Sequence, residues 1–302
     1  MIELREQLQE HLNKRVKQCV TNQSRNAICE KIEKKKESLA NRNGEIVKVK
    51  ATGNILNKID ELDSGKVFYQ VHFQYLINQK DKLYIEEEVE ERVAEFYKDV
   101  LVEDKELNPY EEEDKRASLP IVTDEAASDD RSLFIYDRLQ AVKYAERWWN
   151  DFNPAYKKFE VDCTNFISQC LHAGNAPMNG YPNRAKGWWM QSSNWSYSWT
   201  VANAMRWYLP NAKTGLRAKE VSDPRELKRG DVICYDFQGD GRFDHTTIVI
   251  AKDANGMPLV NAHTANSRMR YWAYEDSTAY TPNIKYKFLH ILDDQPKTLI
   301  KG

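Results

Sequence analysis

Apolar residues recur with two different periods along the first hundred positions, and the change of period divides them. Ile2, Leu4, Leu8 and Leu12 return at roughly helical spacing, as do Ile28, Ile32 and Leu39. Such positions collect on one face of a helix with 3.6 residues per turn. Asn22 or Ser24 supplies a candidate cap for the second helix. After Glu45 the period falls to two: Val47, Val49 and Ala51 share one parity, with Lys48 and Lys50 between them. That pattern predicts a strand with one wet face. Val67, Tyr69, Val71 and Phe73 alternate in the same way. Leu83, Ile85 and Val89, running on to Val93, Val100 and Val102, fit strand or helix. The region 1–107 therefore reads as two helices followed by a curved antiparallel sheet, a small α+β module. His72 falls within an alternating strand and reads as a surface or sheet residue.

Residues 108–130 break both periods. Proline, small residues and clustered acids give little material for a core, so this stretch reads as an exposed acidic linker. The run Glu111-Glu112-Glu113-Asp114 fits a solvated linker better than a metal site. Helical spacing resumes near Tyr136 with Leu139, Val142, Ala145 and Trp148, and Asn153-Pro154 closes that helix. A second helix is expected from Cys163 to His172, ended by Gly174. Strand patterns follow at Val232–Tyr235, Thr246–Ala251, Leu259–His263 and Tyr286–Leu292. Helices first and antiparallel strands afterwards define a second α+β domain over 131–295.

Composition narrows the class. The chain has 302 residues, 41% of them hydrophobic, enough for two modest cores. Mean hydropathy is -0.74 and no apolar run approaches the ~20 residues that span a bilayer, so membrane insertion is not expected. The 44 basic residues nearly balance 46 acidic ones, which gives no electrostatic reason to expect nucleic acid. The charged N-terminus does not resemble a secretory signal and points to the cytoplasm, with a cell-surface location left open. Cys19, Cys29, Cys163, Cys170 and Cys234 are too sparse for a disulfide scaffold and lack the close spacing of a zinc site. No metal or organic cofactor is expected.

One cysteine has a reactive setting. Cys163 follows Asp162, a good helix cap, and so falls at the first turn of its helix. Free N–H groups and the positive end of the helix dipole favour a thiolate there, and one N–H is a candidate oxyanion donor. Phe166, Ile167, Cys170 and Leu171 give the helix an apolar face. His245, in Asp244-His245-Thr246-Thr247-Ile248-Val249, opens an apolar strand and is the candidate base. A three-residue turn at 254–256 would pair Thr247 with His263, placing His263 on the face of His245, about 7–8 Å away diagonally. His263 is then the candidate third member of the site, with Asn261 the alternative; a two-residue turn would reverse the parity. Trp188, Trp189, Trp195 and Trp199, interleaved with polar residues, are candidate walls of a substrate groove, although core packing explains many such residues equally well.

The stretch YDRLQAVKYAERWWNDFNPAYKKFEVDCTNFISQCLHAGNAPM, with Gly230-Asp231, DHTTIVI and LVNAHT, resembles the bacterial amidase domain family related to the NlpC/P60 and CHAP cysteine hydrolases, over roughly 132–294. The resemblance implies a papain-like fold, cleavage of amide bonds in a peptide or glycopeptide substrate, often from the cell wall, and the roles of Cys163 as nucleophile, His245 as base and His263 as polar third member. The combined expectation is an α+β chain in which a papain-like domain follows a small curved-sheet domain. Two other functions compete: an inactive binding or scaffolding module, and a zinc hydrolase in which Cys163, His245 and His263 converge on a metal.

Overall fold

The computed structural model describes residues 2–21, 29–108, 110 and 134–294. Helix α1 (Ile2–Val20) buries Leu4, Leu8, Leu12 and Cys19 along one stripe, and α2 (Glu30–Asn41) buries Ile32, Lys35 and Leu39. The second helix starts after Cys29, so the expected caps at Asn22 and Ser24 lie outside the described residues. Four strands follow: β1 (Gly44–Asp60), β2 (Ser64–Gln79), β3 (Lys82–Tyr97) and β4 (Val100–Glu106). Lys80 and Asp81, and again Lys98 and Asp99, have positive φ, the conformation that closes a two-residue hairpin without splaying its strands. Along β2 the expected parity holds, with Val67, Tyr69, Val71, Phe73, Tyr75 and Ile77 buried against the two helices.

β3 departs from a simple inside-outside rule. Ile85 is exposed, whereas Glu86, Glu88 and Glu90 point inward and are buried. The helices supply their partners. Arg15 meets Glu90 at 2.9 Å, and Lys31 meets Glu90 and Glu106 at 2.9 Å. Lys35 pairs with Glu86 and lies 2.7 Å from Asp276. Burial alone would raise the Glu90 carboxyl, but Lys31, Arg15 and Arg92 outweigh it and hold the group far below the usual carboxylate range.

The second half contributes α3 (Arg138–Trp148), α4 (Cys163–Ala173), α5 (Tyr197–Thr200) and α6 (Ala202–Asn211). A small hairpin, β5 (Met190–Gln191) with β6 (Asn194–Trp195), stands apart. Six strands complete the fold: β7 (Arg217–Val221), β8 (Val232–Asp236), β9 (His245–Lys252), β10 (Pro258–Ala262), β11 (Ser267–Tyr271) and β12 (Lys285–Leu292). One sheet face, with Cys234, Ile248 and Leu289, packs on Phe166, Ile167 and other helical residues; the other gathers Tyr235, Phe237, Val249, Val260 and Tyr274. Gly174 ends α4 where a side chain would meet the Tyr136 ring at 2.4 Å, so this glycine is fixed by close packing. The left-handed residue lies one position later, at Asn175.

The strand order β1-β2-β3-β11-β10-β9-β8-β12-β7 overturns the expected fold class. Ser267 and Arg268 of β11 pair with Glu88 and Glu87 of β3, so the amino-terminal strands join the carboxy-terminal ones in one open ten-stranded sheet, with β4 also paired to β3. The fold is mixed α/β with six α-helices among the described residues. It is not a papain-like domain preceded by a separate small domain with a curved antiparallel sheet. β11 (SRMRY) lacks a continuous apolar run, and its polar side chains are paired instead with Glu87, Glu146 and Asp276.

Candidate active site

Helix α4 is buried on nearly all sides, and each polar side chain on it is matched. Ser168 donates to the Trp199 carbonyl and accepts from Trp188 Nε1, both at 2.9 Å. Asn165 accepts from Trp199 Nε1 at 2.9 Å. Trp188, Trp189 and Trp199 are therefore interior supports, 0–1% exposed, in place of the expected groove walls. Trp195 is half-buried, with Lys157 and Arg184 stacked at 4.5 and 4.9 Å from its ring.

Asp162 stands at the cap position of α4 but does not cap it with its side chain. One carboxylate oxygen accepts from Phe159 N at 3.0 Å and Asn165 Nδ2 at 2.9 Å; the other meets His263 Nδ1 at 2.8 Å. His263 Nε2 faces the Trp148 carbonyl at 2.7 Å, and its ring stacks on Phe166 at 3.9 Å. The imidazole is thus held between a carboxylate oxygen and a backbone carbonyl, a buried hydrogen-bonded strut from β10 to the start of α4.

Cys163 is 1% exposed. Its sulfur lies 3.6 Å from Thr164 Oγ1 and 3.9 Å from the Asp244 carbonyl, so the start of α4 meets the residue preceding His245. Thr164 reaches Thr246 hydroxyl to hydroxyl at 3.2 Å, tying helix to strand. The N–H groups of Asp162 and Cys163 both donate to Thr264 Oγ1 at 3.0 Å, so two of the N–H groups at this helix start, where an oxyanion donor is expected, already have an acceptor.

His245 lies on the opposite face from Thr246. It pairs with Tyr235 across the sheet and is fully buried among rings. Nδ1 meets the Tyr110 hydroxyl at 2.9 Å and Nε2 meets the Tyr274 hydroxyl at 3.3 Å; Tyr274 continues to Ser267 Oγ at 3.3 Å. Hydroxyls can donate or accept, so both neighbours suit either imidazole tautomer. Burial, reinforced by the Arg270 charge, pushes His245 down to about 3 and keeps it neutral. Burial also raises the Tyr274 phenol, outweighing the nearby Arg270 charge that favours the phenolate. A cavity of about 70 Å³ borders this cluster, lined by Tyr110, Thr264, Ala265 and Ser277 and by charges of both signs, Lys31 and Arg270 with Glu90, Glu91 and Glu106.

The expected hairpin geometry is only partly realised. Asp253 N donates to Met257 O at 2.8 Å across the three-residue turn, with Gly256 at φ +79°. A bulge then leaves Ile250 unmatched, because Leu259 pairs with Ala251 but Val260 with Val249. Asn261 consequently stands opposite Ile248, and His263 falls in line with Thr246 instead of Thr247. The extra residue sends His263 to the α4 face, away from the His245 ring. Asn261 is also engaged elsewhere: its amide donates to Glu146 at 2.9 Å and its oxygen accepts from Met269 N at 2.9 Å. Tyr110 and Tyr274, not His263 or Asn261, bond the imidazole of His245. Sequence patterning put Tyr110 in the exposed linker 108–130, whereas it is buried against Phe237 and His245, and it carried no signal for Tyr274; residues 109 and 111–130 of that linker lie outside the described residues. Among the described residues no cluster of His, Cys, Asp and Glu has the geometry of a metal site.

The family model described as "Putative amidase domain" matches residues 135–289. The chain belongs to that family. It is 54% identical over 272 residues to the uncharacterized protein YhbB of Bacillus subtilis (strain 168), a match spanning 88% of this chain and 87% of that protein. It is 33% identical over 175 residues to the uncharacterized protein YjcM of the same strain, spanning 53% of this chain and 40% of that protein. No solved structure matches. The family assignment is to the amidase domain itself, and nothing in these comparisons links the chain to the NlpC/P60 or CHAP groups. No helix among the described residues is long and apolar enough to cross a membrane.

Proposed function

We propose that the chain is a cysteine-dependent amide hydrolase in which Cys163 is the nucleophile and His245 the base. The observation that carries this reading is the meeting of the α4 start with the β9 start, where the Cys163 sulfur lies 3.9 Å from the carbonyl before His245. In the proposed reaction His245 takes the thiol proton as sulfur bonds to the amide carbon. Collapse of the tetrahedral adduct breaks the C–N bond, and the imidazolium returns its proton to the departing amine. Water, deprotonated by His245, then displaces sulfur and releases the acid. The longer Nε2 contact to Tyr274, at 3.3 Å, gives way to the thiol, and Tyr110 on Nδ1, at 2.9 Å, takes the orienting role that His263 and Asn261 are not positioned to take.

A peptide or glycopeptide amide of the cell-wall type is the proposed substrate, with the half-buried Trp195 as a contact at its edge. The test is mass-spectrometric detection of new amine and acid ends after incubation with cell-wall peptides. Cys163→Ala should abolish their formation, and turnover that survives this change defeats the reading. Near-complete burial of Cys163 and His245 favours a second reading, a binding module without turnover. Specific retention of these peptides uncut by the unaltered protein would favour that alternative.

A further inference from the structure

We infer that the Thr264 hydroxyl is the oxyanion donor of this site, a role that rests on the cysteine-hydrolase reading above. A hydroxyl has one proton and two lone pairs. At Thr264 both acceptor positions are taken, by the N–H groups of Asp162 and Cys163 at 3.0 Å each. The remaining proton has no protein acceptor within bonding distance among the described residues, and the side chain is half-buried on the wall of the cavity beside Tyr110. Two donated N–H bonds polarise the oxygen and strengthen it as a donor. The amide dipoles at the start of α4 therefore act through Thr264 instead of directly.

The backbone gives a second, independent reason. Thr264 has φ +78°, a region that a β-branched residue rarely adopts. Strain of this kind persists where the surroundings over-determine it, and it clusters at working sites. Here the conformation carries the hydroxyl beneath the first amides of α4, one of which belongs to Cys163 itself. As sulfur adds to a carbonyl, the oxygen gains charge and accepts the Thr264 hydrogen bond. No proton is transferred in that contact, and the bond weakens again when the carbonyl re-forms.

The test compares two reactions of Cys163 in the full chain, both followed by mass measurement of the mapped peptide. Acylation by p-nitrophenyl acetate passes through an oxyanion, whereas alkylation by iodoacetamide does not. Thr264→Val should slow acylation by about 10²-fold and leave alkylation within about threefold. Thr264→Ser, which keeps the hydroxyl, should restore acylation to within about threefold of the wild type. Equal loss of both reactions in Thr264→Val, or no loss of either, overturns the proposal, as does failure of Thr264→Ser to rescue. If Thr264→Val does not fold, Thr264→Ala and Thr264→Ser are compared by the same ratio. Absence of any acylation at Cys163 in the wild type removes the hydrolase reading and the Thr264 role together. Normal wild-type acylation with an unaffected Thr264→Val removes only the latter.

Discussion

Replacing Asp162 separates a structural strut from a chemical group. Its carboxylate takes three hydrogen bonds, from Phe159 N, Asn165 Nδ2 and His263, and both Asp162 and His263 are about 2% exposed. In Asp162→Ala all three donors lose their acceptor inside the protein. Each orphaned buried donor costs about 1–3 kcal/mol. These contributions overlap, so a loss of about 3–5 kcal/mol is expected, a large part of the ~5–15 kcal/mol that holds a domain together. Asp162→Asn should behave differently. Its oxygen can still accept from Phe159 and Asn165, so only the contact to His263 changes, from a carboxylate oxygen to an amide. That exchange should cost about 1–2 kcal/mol. Urea unfolding followed by tryptophan fluorescence at pH 7 reads both values from the midpoints, provided the slopes agree. A loss below about 1 kcal/mol in Asp162→Ala, or equal losses in the two variants, refutes the strut.

Other consequences follow from buried charge. His245 takes a proton near 6.5 when unfolded but only near 3 when folded, so its contribution to stability is complete above pH 6.5 and is lost as pH falls toward 3. The ceiling is roughly 5 kcal/mol, and unfolding midpoints in His245→Gln should fall less over that interval than in the wild type. Tyr110→Ala opens the space before the imidazole to water, so NMR titration should find its pKa raised from about 3 toward 6.5; an unchanged value argues against Tyr110 as the group that keeps it dry. Lys31→Met leaves Glu88, Glu90 and Glu106 without their shared cation and should cost about 3–5 kcal/mol in chemical unfolding, whereas a surface-like loss below 1 kcal/mol would contradict the buried network.

Patterning made some parts of this protein legible and hid others for identifiable reasons. The alternation at Val67, Tyr69, Val71 and Phe73 corresponds to a buried sheet face because three of the four need no polar partner and the Tyr69 hydroxyl finds one in Asp104. In β3 the same logic gives the wrong face: Glu86, Glu88 and Glu90 are inward because lysines and arginines from helices far away in sequence meet them. β11 was hidden for the same reason, and with it the join that makes one sheet from two halves. Helix α4 and the strand at His245 were readable from local signals. The bulge at Ile250 was not, and that single residue moves His263 from the His245 face to Asp162 and Phe166. Trp188, Trp189 and Trp199 lie among polar residues in sequence, but their rings are buried and their indole N–H groups bond to Ser168, to the Asn183 and Lys186 carbonyls, and to Asn165. Thr264 was visible only as a neighbour of His263, since its hydroxyl gains meaning from where α4 begins.

The most direct measurement of the central claim is capture of the acyl intermediate. Wild-type and His245→Gln proteins are quenched in acid during turnover of a cell-wall peptide amide, and the peptide containing Cys163 is weighed. Wild-type protein should carry the mass of the substrate acyl group on Cys163 as a thioester, released by hydroxylamine, and His245→Gln should carry little or none. Turnover with Cys163 unmodified at every quench time, and undiminished in His245→Gln, would contradict the account.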